Sequence, residues 1–188
     1  MTIKESVAAE LGKSNVEKIN AFTKAFRIDE LSNIEPGEQF TIPTGDDFVI
    51  LSQRMMRGGQ PVLDRDNKPV TAEFVKCKSN KNRIVNFFPT SLTKIAFRVD
   101  PETGKDLTEN RIVRTEGDVV AYAKAHPDMN ETMKNLQGCT IQYDLKEKVN
   151  VRRFGVPNEK ATKADVETNN IGKWTLVGSV KPANWPAE

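Results

Sequence analysis

Between Val70 and Arg98 cations alternate with aromatic rings: Phe74, Lys76, Lys78, Lys81, Arg83, Phe87, Phe88, Lys94, Phe97 and Arg98. The two kinds of group together suit a single-stranded polynucleotide. Lysine and arginine neutralise phosphates, and a ring accepts a stacked base whatever its identity. A second, shorter cluster, Arg152-Arg153-Phe154, repeats the combination towards the C-terminus. Adjacent residues of a strand point to opposite faces, so one of the two arginines must reach solvent, because a lone buried guanidinium is very costly. The same alternation puts Phe87 and Phe88 on opposite faces of one strand. Only one of them need be in the core, and the other is either a second core residue or a stacking platform. The expected nucleic-acid contacts are therefore Lys76, Lys78, Lys81, Arg83, Lys94, Arg152 and Arg153 for phosphates, with Phe87 or Phe88 and Phe154 for bases.

Catalytic patterns are weak by comparison. His126 is the sole histidine and precedes Pro127 in an expected inter-helix turn, which reads as a surface position rather than a general base. No Gly-x-Ser-x-Gly elbow, Gly-x-Gly-x-x-Gly fingerprint or P-loop occurs. Asp64-Arg65-Asp66-Asn67 begins like a calcium loop, but Lys68 and Pro69 stand where a ligand and the bending glycine belong. Cys77 and Cys139 lie far apart in apolar stretches and read as buried, reduced thiols. No metal, cofactor or catalytic residue is expected, and the chain reads as a binding protein and not an enzyme.

The elements that must position these residues follow from periodicity. Ser14-Asn15-Val16-Glu17 has capping-box spacing, and Val16, Ile19, Phe22 and Phe26 then fall on one helical stripe. A shorter helix is expected at 3–11, and Pro36-Gly37 closes this N-terminal extension. From Glu38 the pattern becomes strand-like. Strands are expected at 39–43, 47–56, 70–78, 83–88, 97–99, 111–114, 139–145, 149–154 and 173–180. The 70–88 hairpin is the clearest, and a second hairpin joins 97–99 to 111–114. Helices are expected at 118–125 and 128–137, the latter with Asp128 as N-cap and Gly138 beyond its end. Residues 155–171 read as an irregular loop.

The resulting fold class is β-rich α+β. A meander, a helical insertion and further strands match the order of an OB-like antiparallel barrel of five or more strands, with N-terminal helices added. The domains expected are a helical extension at 1–36, a β-barrel at 37–181 and a short tail at 182–188. Composition agrees with one globular domain: 37% of the 188 residues are hydrophobic and 29% charged. Net charge is only +2 but unevenly placed. Residues 1–50 hold five basic and nine acidic groups, and residues 51–115 hold thirteen and seven. A basic middle favours an anionic partner.

No apolar run is long enough to span a bilayer, and the first residues carry no apolar signal segment. A cytoplasmic location, in the chain's own cell or a host's, is expected. The sequence thus predicts a non-enzymatic protein that binds single-stranded DNA or RNA with little sequence preference. The rival expectation is a structural or assembly protein of a phage or mobile element. It would dock on a protein partner or a second copy through Val16, Ile19, Phe22 and Phe26.

Overall fold

The computed structural model describes residues 33–57, 59–108 and 111–186. The expected helices at 3–11 and 14–26, with the stripe Val16, Ile19, Phe22 and Phe26, lie outside the described residues.

Among the described residues, ten strands and two α-helices make a strand-rich α+β fold. The strands are β1 (Gln39–Thr41), β2 (Leu51–Arg54), β3 (Met56–Arg57), β4 (Gln60–Pro61), β5 (Thr71–Ser79), β6 (Ile84–Phe87), β7 (Ile95–Phe97), β8 (Ile112–Arg114), β9 (Thr140–Arg152) and β10 (Val166–Val177). The helices are α1 (Asp118–Ala125) and α2 (Met129–Asn135). The main sheet is antiparallel in the order β10-β9-β1-β5-β2, with β6 also paired to β5. Strands β3–β4 and β7–β8 form separate two-stranded ribbons.

The expected OB-like barrel is not closed. Among the described residues no ladder joins β10 to β2 or β6, so the sheet stays open. The strand-rich α+β class is observed, but the order of elements along a chain does not specify the strand pairing that closure demands.

The core follows from strand alternation. Phe40, Val75, Cys77, Val85, Phe87, Ile141, Tyr143 and Trp174 are buried from the sheet side. Leu92, Val119, Tyr122, Ala123, Met133 and Leu136 meet them from a 3₁₀ turn (Pro89–Thr93) and the two helices. Aromatic rings anchor the contact, with centroids 5.1 Å apart for Phe40–Phe87, 5.9 Å for Phe87–Trp174 and 4.6 Å for Tyr143–Trp174. Asp128 caps α2 as expected, its carboxylate accepting from the Asn130 and Glu131 N–H groups. Trp185 packs on Tyr122 at 5.4 Å and anchors the tail.

The long β9–β10 hairpin departs most from expectation. What reads as two strands, 139–145 and 149–154, is one strand of 13 residues. The expected irregular loop at 155–171 is strand from Val166 onward. Glu167-Thr168-Asn169-Asn170 has no apolar alternation to betray a strand, but its backbone is satisfied by the ladder to β9.

The ladder contains a bulge: Ile171 pairs with Glu147 and Gly172 with Leu145, leaving Lys146 extra. Ile171 and Trp174 on regular β10 are three residues apart and face opposite sides. Their β9 neighbours Val149 and Tyr143 share a parity, and the extra residue turns them to opposite sides as well. One end of the hairpin thereby feeds the main core. The other buries Val149 and Ile171 beneath Ala96 and Val113 of the β7–β8 ribbon.

The ribbon is stitched to the sheet by Glu116, whose N–H donates to the Gly172 carbonyl and whose carbonyl accepts from Trp174 N–H at 2.8 Å. Gly117 follows with φ +117°, and a Cβ there would lie 1.9 Å from the Trp174 carbonyl oxygen. Only glycine passes at this point.

Candidate functional site

The central hairpin β5–β6 forms as expected, but it does not collect the predicted contacts on one open face. Phe87 is fully buried between Phe40 and Trp174, so it is core and cannot stack on a ligand. Phe88, on the opposite side, is half-buried against Phe74 with centroids 5.1 Å apart, and Leu51 and Val49 complete that small cluster. Lys76 is also half-buried. Its ammonium lies 5.7 Å from the Phe74 centroid and 3.4 Å from Asn86 Oδ1, and burial lowers its pKa. Lys78 is exposed beside Thr41 and Ile84.

Arg83 and Lys81 serve the fold. Arg83 Nε and Nη2 donate to the two carboxylate oxygens of Glu38 at 2.7 and 2.6 Å, and Nη2 also donates to the Asn33 carbonyl at 2.8 Å. Glu38 is completely buried and accepts from Ser79 Oγ as well. Its burial raises the carboxyl pKa, but the bonds from Arg83, Ser79 and the Glu35 N–H outweigh that and bring it to about 2. Lys81 donates to Glu35 at 2.9 Å. A guanidinium committed to a buried carboxylate is not available to a phosphate. Lys94 is half-buried with its pKa lowered by burial, and its ammonium lies 3.5 Å from the Asn170 carbonyl.

The C-terminal cluster fares differently. A groove of about 530 Å³ runs between β7 and the tip of the β9–β10 hairpin, and Arg152, Arg153 and Phe154 all line it. Phe97 and Arg111 line the opposite side of the groove, and the Arg111 guanidinium stands 5.7 Å from the Phe97 centroid. Phe154 is 74% exposed and Phe97 47% exposed. Arg153 reaches Asp165 only at 3.5 Å and keeps half its side chain in solvent. Two rings and two accessible guanidiniums therefore share one concavity.

Arg152 supports this groove without facing out of it. Its Nη1 donates to Asp106 Oδ1 at 2.9 Å, and its Nε donates to the Val156 carbonyl at 2.8 Å. These bonds tie the 99–106 loop to the hairpin tip and neutralise Asp106, which with Glu167 is one of two carboxylates that line the groove.

Phe97 lies in the cation-rich stretch of the sequence, but Arg111, Ile95 and Ile112 did not stand out. A usable signal exists: 95–97 and 111–114 are apolar on both faces, while a two-stranded ribbon can bury only one of them. Ala96 and Val113 take the buried face, and the pairs Ile95–Arg114 and Phe97–Ile112 are left outward.

His126 plays a local part. Its Nδ1 lies 2.9 Å from the Tyr122 carbonyl at the end of α1, and its ring stacks on Tyr122. Cys77 and Cys139 are unpaired and buried, and burial raises both thiol pKa values. Among the described residues no cluster of three histidine, cysteine or carboxylate side chains could hold a metal, and no helix is long and apolar enough to cross a membrane. Compared with protein-family models, curated proteins and solved structures, the chain shows no significant match to any of them.

Proposed function

We propose that this protein holds single-stranded DNA or RNA without strong sequence preference, and that it binds rather than catalyses. The observation that carries the reading is the groove in which Phe97 and Phe154 present accessible rings beside Arg111 and Arg153. Bases stack on rings through faces that all four share, and guanidiniums meet the phosphates between them. The site is thus moved from the central hairpin to the β7–β8 ribbon and the hairpin tip. It does not require a closed OB-like barrel, because the ribbon and the hairpin tip alone form its walls. The buried thiols suit the reducing cytoplasm in which the strand would be met.

Fluorescence anisotropy with labelled oligonucleotides tests the reading. Binding is expected at about 50 mM salt and should fall steeply as salt rises. Phe154→Ala should weaken it by roughly 5- to 150-fold, the equivalent of one stacked base at about 1–3 kcal/mol. Arg153→Gln should lower the salt dependence. A flat titration at low salt, or unchanged affinity in Phe97→Ala and Phe154→Ala, refutes the proposal.

A further inference from the structure

The β7–β8 ribbon has a second cavity on its other flank. It encloses about 810 Å³ and is lined by Arg98, Arg114 and Lys146 with the apolar side chains of Leu107 and Ile112. Two carboxylates, Glu147 and Glu116, also reach it, and each is held by one of the cations: Arg98 by Glu147, and Lys146 by Glu116 at 2.6 Å. Arg114 is exposed and brings a third positive charge to this wall. Arg98 Nε itself is buried and has no hydrogen-bond partner among the described residues.

The two cavities belong to one surface. The first lies on the β7 side and the second on the β8 side, and the outward pairs Ile95–Arg114 and Phe97–Ile112 join them across the ribbon. Ile95 and Ile112 are almost half exposed, an apolar crest that a folded monomer does not need.

Resting on the nucleic-acid reading above, we propose that the single strand crosses this ribbon. Its bases lie on Phe154, Phe97 and the Ile95–Ile112 crest, and a phosphodiester group enters the second cavity beside Arg114. A strand that used only the first groove would be indifferent to Arg114. A strand that crosses the ribbon must be long enough to reach it, so length and Arg114 should act together.

The test measures anisotropy of oligothymidylates of about 4 and about 12 nucleotides, both within the roughly 4–16 nucleotides that single-strand binding modules cover. Wild type, Arg114→Gln and Phe154→Ala are compared in each case. Arg114 is exposed, so its replacement should leave the fold intact, which circular dichroism verifies. The expected result is that Arg114→Gln weakens the longer strand about 5- to 10-fold and leaves the shorter unchanged. Its salt slope for the longer strand should also fall by about 0.7, one phosphate contact.

Equal affinity of Arg114→Gln and wild type for both lengths, with Phe154→Ala still impaired, overturns the crossing path and leaves the groove reading in place. Loss of any Phe154 effect overturns both. Arg114-dependent binding of inorganic phosphate at matched ionic strength, without any dependence on strand length, would reassign the cavity to free phosphate and also overturn the crossing path.

Discussion

Replacing Glu38 by glutamine should destabilise the protein in a way that depends on pH. The carboxylate is wholly buried, and the Arg83 fork that grips it is 27% exposed at its side chain. Its pKa falls from an ordinary 4.5 to about 2 in the folded chain. A group whose pKa is depressed by folding contributes stability above its unfolded value and loses it as pH falls towards the folded one. Each pH unit between the two values is worth about 1.4 kcal/mol, so the full contribution is about 3 kcal/mol near neutrality. Partial exposure of Arg83 lets water screen the pair and take up the abandoned guanidinium, which lowers the expected loss to about 2–3 kcal/mol. By about pH 3 most of the difference is gone, because the wild-type carboxyl retains only about 1 kcal/mol of this advantage there. Urea unfolding of wild type and Glu38→Gln at about pH 7, 5 and 3 reads the gap directly. The stability difference should be large at the first two values and shrink at the third. A gap that stays constant across this range, or a variant as stable as wild type at pH 7, refutes the assignment of Glu38 as a charged, buried clamp on the β5–β6 turn.

Three further outcomes are expected. Gly117→Ala and Gly172→Ala should each cost about 3 kcal/mol or more in thermal or denaturant unfolding, since the new Cβ would stand 1.9 Å from the Trp174 carbonyl oxygen and 2.0 Å from the Tyr143 ring. Gly155→Ala, where nothing lies within 4 Å, should cost only the strain of its positive φ, about 1 kcal/mol. Phe87→Ala should lose about 3–5 kcal/mol of stability, while Phe154→Ala stays within about 0.5 kcal/mol of wild type and changes ligand affinity only. Cys77, fully buried with its thiol pKa pushed up, should resist maleimide in the native protein and react only on unfolding, as mass spectrometry can follow.

The elements whose signals are local were legible. Asp128 and Gly138 bracketed α2, because capping depends on residues within one turn of the helix end. The hairpin of 70–88 was readable because Asn80 and Asn82 fill a turn between two alternating runs, and Asn82 sits at φ +56°. The far half of β10 was not legible, because its polar residues become a strand only by pairing with β9. The candidate site was partly legible. Arg152, Arg153 and Phe154 stand out in the sequence and line the groove, but Lys81 and Arg83 read there as ligand contacts too, because their partners, Glu35 and Glu38, lie more than forty residues away. A basic side chain looks the same in a sequence whether it will meet a phosphate or a buried glutamate.

Residue types and their spacing, taken alone, determined the class: a strand-rich α+β chain with helices at 118–125 and 128–137 between its strands, a basic centre, and rings interleaved with cations. Tertiary structure decided which of those groups face out. Strand alternation says that Phe87 and Phe88 oppose each other, but the layer of helices over β6 makes Phe87 the buried one. Likewise the single extra residue at Lys146 turns the hairpin so that Val149 and Ile171 sit under the β7–β8 ribbon. Phe154 and Phe97, 57 residues apart, come to line one groove, a juxtaposition that no local pattern encodes.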